Sequence, residues 1–247
     1  MNQFINKVGE IHITEQQLFD YMNCPTLFDI RNSSQITIPY QVTQHKLICQ
    51  VMRYFLTNLQ NGVIPTYKEL QRKWDSICAE NKDIIDANKN ISGWQKIVNF
   101  VTWAQNNKIA VGDISIPFII DSKDVVLHGS IDQLLVDPQS HKIELFYPNF
   151  TDKEFDKYTI DTRLKYTIDA YAFKTIYKQP IDGIHVYSAK TNQNTYTYRG
   201  EEDFLRLKTS IYNIGHAIVN NCFYPRENAL CSSCPGKVYC KYWHKEI

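Results

Sequence analysis

The chain has 247 residues, of which 43% are hydrophobic, and its 27 basic and 26 acidic side chains leave a formal net charge of +1. These values are typical of a globular protein and exclude a disordered chain or a general polycation, so contact with nucleic acid would need a local basic patch. No run of about 20 apolar residues is present, and the first residues lack a secretory pattern. We therefore expect neither a membrane span nor export.

The first 110 residues favour helices. Thr14 and Gln17 have the spacing of a capping box, which marks the start of a helix. Apolar residues recur at helical spacing over residues 42–59 and 94–104. We therefore predict a mainly helical N-terminal part over residues 1–110.

The pattern changes after residue 110. Runs rich in β-branched and aromatic residues alternate with polar turns, which predicts an antiparallel meander, then a helix and two further strands. We predict a single domain over residues 1–247 with an α/β (α+β mixed) fold, its core at residues 111–200 and a C-terminal helix and cysteine tail at residues 201–247. The strands are expected at residues 114–120, 125–136, 142–147, 184–188 and 195–198, and the helices at residues 163–177 and 201–219.

The cysteine pattern indicates a metal site. An odd total of seven cysteines in a chain without a signal predicts reduced thiols in the cytoplasm rather than disulfides. Three of them, Cys231, Cys234 and Cys240, lie within ten residues, and three metal ligands need a fourth. His244 would complete a local zinc site, whereas Cys24, in a Cys-Pro turn after the first helix, would join the two ends of the chain.

Two carboxylates stand on neighbouring predicted strands. Asp132 lies within a β-rich run three residues after Gly129, and Glu144 lies in the next run. Such a pair can hold a divalent cation for chemistry at a phosphate. Taken alone, the pair is more typical of ordinary acids near strand ends than of a metal site.

Six blocks of sequence, taken in order over residues 11–243, resemble the RecB-like nucleases of the PD-(D/E)XK superfamily. The resemblance is to the iron–sulfur branch, which includes CRISPR-adaptation nucleases and AddB-type nuclease domains. The blocks are TEQQLFDYMNCPTLF at residues 14–28, His45 near the start of the next helix, VVLHGSIDQLLVD at residues 125–137, KIELF at residues 142–146, LKYTIDAYA at residues 164–172 and FYPRENALCSSCPGKVYC at residues 223–240.

The resemblance implies a fold, two cofactors and their ligands. The implied fold is a PD-(D/E)XK restriction-endonuclease-like core, a central mixed sheet flanked by helices with a C-terminal iron–sulfur tail. The implied ligands of Mg²⁺ or Mn²⁺ are His45, Asp132 and Glu144, and those of a [4Fe-4S] cluster are Cys24, Cys231, Cys234 and Cys240.

The chain departs from the family pattern at two positions. Phe146 stands where the family has its catalytic lysine, and Thr167 stands where the following helix has a glutamine. Lys142, two residues before Glu144, and Lys165, on the next helix, are the candidates for the missing lysine. The expected catalytic set is therefore Asp132, Glu144, Lys142 and Lys165.

Two functions follow from the resemblance. The first is a metal-dependent DNA nuclease, an exonuclease on single-stranded or fraying ends, weakened by Phe146. The second is a catalytically inactive RecB-like iron–sulfur protein that acts as a DNA-binding or assembly subunit. The implied partners are DNA, as single strands or duplex ends, and proteins of a recombination, repair or CRISPR-type complex. The implied location is the cytoplasm of a bacterium or of a phage host.

Overall fold

The structure is a computed structural model that describes residues 4–32, 38, 42–229 and 231–243. The chain forms two compact units. The four cysteines of the predicted cluster belong to unit 1, and the residues of the predicted divalent-metal site belong to unit 2. Unit 1 comprises Met1–Gln41, Pro117–Gly129 and Glu201–Ile247, and unit 2 comprises Val42–Ile116 and Ser130–Gly200.

The described chain has the predicted mixed α/β architecture, a central mixed sheet flanked by helices. None of its described helices is long and apolar enough to cross a membrane. The elements in chain order are β1 (Ile11–Thr14), α1 (Glu15–Asn23), α2 (Pro25–Asn32), α3 (Gln44–Gln60), α4 (Tyr67–Glu80), α5 (Ala87–Asn106), β2 (Ala110–Ser122), β3 (Val125–Val136), β4 (Ile143–Asn149), α6 (Lys157–Thr162), α7 (Leu164–Tyr177), β5 (Gly183–Ser188), β6 (Gln193–Thr197) and α8 (Glu201–Val219).

Local signals in the sequence set the start of α1 and the turn that follows it. The Thr14 hydroxyl accepts a hydrogen bond from the Gln17 amide at 3.2 Å, and the Gln17 side chain accepts one from the Thr14 amide at 2.8 Å. The predicted capping box is therefore confirmed. Cys24 ends α1 with extended backbone, and Pro25 opens α2, where its missing N–H costs no helical hydrogen bond.

The strand order of the sheet is β1-β3-β4-β5-β6, and β2 pairs with β3. Residues of β1 pair in parallel with the first residues of β3, whereas the last residues of β3 run antiparallel to β4. In that antiparallel pair, Leu135 lies opposite Glu144. β4 and β5 are parallel, because α6 and α7 form the crossover between them, and β6 returns antiparallel to β5.

Unit 2 has a core rich in aromatic rings. Phe146 is 1% exposed, and its ring stacks on Trp103 with centroids 5.5 Å apart and planes 2° from parallel. Phe100 lies 5.9 Å from Phe146 and 5.4 Å from Tyr187. Each such ring pair adds about 0.5–1.5 kcal/mol to the free energy of burial.

Unit 1 has a smaller aromatic core around Phe28. The Phe28 ring lies 5.7 Å from Tyr21 and 5.8 Å from Phe223, measured between centroids. The Tyr21 hydroxyl also donates a hydrogen bond to the Cys222 carbonyl at 2.7 Å. The segment after α8 is thereby held against α1 and α2.

Candidate functional site

Unit 2 contains a cavity of about 640 Å³, which we call the basic cavity. Among the described residues that line it, Asp132 is the only acid. The formal net charge of the whole chain is only +1, so this wall is far more basic than the chain as a whole. The basic side chains of the wall are Lys46, Arg53, Lys73, Arg163 and Lys165.

Helix periodicity accounts for the part of the wall that α3 supplies. Lys46 and Arg53 are seven residues apart, which is about two helical turns, so they lie on one face of α3. His45 and Cys49 are four residues apart on the adjoining stripe, with His45 Nε2 at 3.7 Å from Cys49 Sγ. All four line the basic cavity.

His45 responds to the positive charge around it. Burial lowers the pKa of its imidazole below 6.5, and the charges of Arg163, Lys96 and Lys46 lower it further. Its Nδ1 atom is buried and has no hydrogen-bond partner among the described residues. The imidazole is therefore neutral at neutral pH.

Asp132 lies in the same cavity as His45. Its side chain is half exposed, and its Oδ1 lies 4.0 Å from Arg53 Nη2, a separation that gives little stabilisation in solvent. Burial and then the Asp132 charge raise the pKa of the Cys49 thiol to about 12, against the opposing effect of Arg53. Asp132 therefore faces the α3 side of the cavity.

Glu144 does not join His45 and Asp132, which corrects the predicted three-ligand site. Its partner on β3 is Leu135, three residues beyond Asp132, so the two acids are separated by about 10 Å along the strands. The Glu144 carboxylate instead lies 3.4 Å from His185 Nδ1.

A buried hydrogen-bond network, rather than Glu144, lies beside the cavity. The Tyr147 hydroxyl, on the wall of the basic cavity, donates a hydrogen bond to Asp169 Oδ2 at 2.5 Å. Lys165 Nζ donates to Asp169 Oδ1 at 2.9 Å and to the Ser130 carbonyl at 3.0 Å. Asp169 is 0% exposed. Burial and then the Asp169 charge raise the pKa of Tyr147 well above its ordinary value.

Asp169 is not among the site residues predicted from the sequence. A sequence signal existed, because Lys165 and Asp169 stand four residues apart and the carboxylate interrupts an apolar stretch of α7. Lys165 was predicted as a substitute for the catalytic lysine. In the structure its ammonium group is the counter-ion of a buried carboxylate.

The structure also changes what is expected of Phe146 and Lys142. Phe146 borders the basic cavity, but its ring is packed in the aromatic core and is closed to solvent. Lys142 is exposed in the turn before β4 and does not line the cavity. Its carbonyl oxygen accepts a hydrogen bond from the Asp137 amide at 2.8 Å. Lys142 is therefore not placed to contact a ligand beside Asp132.

Unit 1 contains a second cavity of about 850 Å³, which we call the cysteine cavity. It is lined by all four cysteines of the predicted cluster, and each is a free thiol. The tail that carries three of them folds as consecutive tight turns: the Cys234 amide donates to the Cys231 carbonyl at 3.3 Å, and the Cys240 amide donates to the Lys237 carbonyl at 3.2 Å.

Hydrogen bonds join the tail segment to the turn that contains Cys24. Arg226 Nη1 donates to the Met22 carbonyl at 2.6 Å, and Asn228 Nδ2 donates to the Asn23 carbonyl at 3.1 Å. The Thr26 hydroxyl lines the cysteine cavity and is buried without a hydrogen-bond partner in the described part of the chain. Protein contacts alone thus bring the Cys24 turn to the tail.

Neither cavity contains a preformed metal centre. Within residues 4–32, 38, 42–229 and 231–243, no three histidine, cysteine, aspartate or glutamate side chains lie close enough together to hold a metal ion. His244, the alternative fourth ligand, lies outside the described residues.

Comparison with known proteins supports the fold. No family model matches the chain, and neither does any curated protein. Solved structures do match, among them the protein called "Putative exonuclease" from Eubacterium rectale, with a TM-score of 0.54 and 9% sequence identity over 90% of this chain and 86% of that one. The protein called SSO0001 matches with a TM-score of 0.40 and 11% identity over 92% and 93% of the two chains. At 9% identity the first likeness shows that the two chains share a fold and nothing finer.

Proposed function

We propose that this chain is a nuclease-fold protein that binds DNA without cleaving it by the two-carboxylate, metal-dependent route. The observation that carries the proposal is the basic cavity, whose described wall has five basic side chains, one of which, Lys165, is paired with the buried Asp169, and one acid, Asp132. Phosphate contacts by lysine and arginine supply most of the affinity of proteins for DNA backbones. A wall of this charge suits a phosphate chain better than a metal ion.

The size and the lining of the cavity favour an unpaired strand. Its volume of about 640 Å³ falls in the range of sites for small organic ligands, so it can take a nucleotide or two but not a duplex. The Arg163 guanidinium lies 4.7 Å from the Phe155 ring and 5.6 Å from the Tyr166 ring, measured to the centroids. Aromatic rings beside cations are the usual surface for single-stranded nucleic acid.

The residues present do not fit the Mg²⁺ or Mn²⁺ site of the nuclease family. Glu144 pairs with Leu135, about 10 Å along the strand from Asp132. Tyr147 shares the wall with Asp132, but its hydroxyl is engaged with Asp169, and a neutral phenol is a poor substitute for the carboxylate oxygens that these hard cations prefer. His45 and Asp132 alone leave the site short of ligands.

The cysteine cavity does fit an iron–sulfur cluster by the chemistry of its donors. We propose that Cys24, Cys231, Cys234 and Cys240 hold a [4Fe-4S] cluster. When bound, such a cluster supplies a structural cross-link, because it ties the turn after α1 to the C-terminal tail. A DNA-binding subunit of this kind would serve a recombination, repair or CRISPR-type complex in which other members cut the strand.

The binding test uses anaerobically purified protein and a labelled oligothymidylate of about 15 nucleotides, near the upper end of single-strand site sizes. Fluorescence anisotropy should show tighter binding of this strand than of a duplex of equal length. Arg163→Gln and Lys46→Gln should each reduce the slope of log K against log salt by about 0.7. Lys142→Gln, an exposed lysine outside the cavity, is the matched control and should leave the slope unchanged. Equal salt slopes for all variants would overturn the proposal.

The cleavage test compares the wild-type protein with Asp132→Ala in Mg²⁺ and in Mn²⁺, on a single strand and on a frayed duplex. We expect no cleavage above the Asp132→Ala control. Cleavage that is metal-dependent and lost in that variant would instead establish the weak exonuclease that the resemblance implied.

A further inference from the structure

A second surface with the chemistry of nucleic-acid binding lies in unit 1, at residues 237–243. We call the four side chains Lys237, Lys241, Tyr242 and Trp243 the tail surface. Tyr242 is 41% exposed and Trp243 is 45% exposed. Trp74 and Trp103, by contrast, are buried. Large aromatic side chains left in solvent at adjacent positions mark an interaction site.

A lysine ammonium group lies over each exposed aromatic ring of the tail surface. Lys237 Nζ lies 4.2 Å from the centroid of the Trp243 ring, and Lys241 Nζ lies 5.2 Å from that of Tyr242. The sequence of this segment is KVYCKYW, which has two basic residues and no acid. The positive charge of the surface therefore favours an anionic partner, and its aromatic rings favour a partner with flat apolar groups.

We propose that the tail surface binds unpaired nucleotides of a DNA strand, with bases stacked on Tyr242 and Trp243 and phosphates paired with Lys237 and Lys241. A single strand alternates flat bases and negative charges at this scale, and stacking accepts any base because each has a π face. The surface lies in unit 1, so the proposal is independent of the basic cavity in unit 2.

The test measures the affinity of anaerobically purified full-length protein for the labelled oligothymidylate by anisotropy. Trp243→Leu should weaken binding about tenfold, the effect of losing one stacked base. Trp243→Phe keeps an aromatic face and should restore most of the affinity. Trp94→Phe, which removes a half-buried tryptophan of unit 2, should have no effect. Lys237→Gln combined with Lys241→Gln should reduce the salt slope by about 1.4, whereas Lys68→Gln combined with Lys82→Gln should not.

The outcomes separate this proposal from the first. Wild-type affinity and salt slope in the tail variants would overturn the tail surface, whatever the cavity variants do. Loss of affinity in the tail variants, with no effect from Arg163→Gln or Lys46→Gln, would support the tail surface and overturn the basic cavity. Trp243 emission that changes with protein concentration but not with oligonucleotide would identify a second copy of the chain as the occupant and would also overturn the proposal.

Discussion

The substitution Phe146→Lys has opposite expected effects under the family pattern and under the structure of this chain. If position 146 opened on the scissile phosphate, as the resemblance implied, lysine there would raise nuclease activity. The structure instead places the Phe146 ring in the core, 1% exposed and stacked on Trp103. We therefore expect the substitution to destabilise the protein rather than to activate it.

The expected loss can be estimated from the packing. Removing a buried phenylalanine ring costs about 3–5 kcal/mol of unfolding free energy. Lysine adds the cost of placing an ammonium group in an aromatic core. At about 2–4 °C of melting temperature per kcal/mol for a chain of this size, the midpoint should fall by roughly 6–20 °C or more.

Urea unfolding and thermal melting measure the effect, with Phe146→Leu as the matched control. Leucine keeps the site apolar, so it should cost much less than lysine. A Phe146→Lys protein that melts within about 2 °C of the wild type, a shift worth at most ~1 kcal/mol, and gains Mn²⁺-dependent cleavage would refute the placement of this side chain. Stability without cleavage would refute the packing argument but leave the DNA-binding proposal standing.

Three further predictions test other parts of the structure. Cys24→Ser should abolish the brown colour of anaerobic protein and lower the unfolding free energy by several kcal/mol, because a structural metal site couples to folding; unchanged visible absorbance would contradict the cluster assignment. Lys165→Met should cost about 3–5 kcal/mol in urea unfolding, since it leaves the Asp169 carboxylate buried without its ammonium partner, and the double variant with Asp169→Leu should recover part of that loss. His45, with its pKa lowered below 6.5, binds its proton more readily in the unfolded chain. Its contribution to stability should be complete above pH 6.5 and should decline as the pH falls through 6.5 toward the folded pKa, a slope that His45→Asn should lack.

The elements of the fold could be predicted because their signals are local. The capping box at Thr14 and the turn at Asp137 are both present, and α8 and β3 have the predicted bounds. The predicted strand at residues 114–120 is longer in the structure, as β2 spans Ala110–Ser122, because edge residues of a strand have weak sequence preferences. The short strand β1 was not predicted, since four residues carry too little periodicity to identify a strand.

The candidate site could be predicted only in part, because it depends on strand register. Sequence order places Asp132 and Glu144 on successive strands, but the distance between them depends on the register of those strands. The pairing of Leu135 with Glu144 decides the matter, and no pattern within either strand encodes it. Asp169 was missed for a related reason: a carboxylate four residues from a lysine on a helix is normally a surface ion pair, and only the tertiary structure buries it.

Because Glu144 does not join Asp132, the charge of the basic cavity decides which ligand it attracts. A divalent cation about 8 Å from a lysine or arginine is opposed by on the order of 4 kcal/mol at an effective dielectric constant of about 20, so a metal site in a basic cleft depends on carboxylates to offset that repulsion. Here Asp132 is the only acid on the described wall, and Asp169, the other carboxylate close by, is engaged by Lys165 and Tyr147. The same charges that oppose the cation attract a phosphate. With Glu144 about 10 Å along the strands from Asp132, the charge of the cavity favours a phosphate over a divalent cation, and this is the physical basis of the DNA-binding proposal.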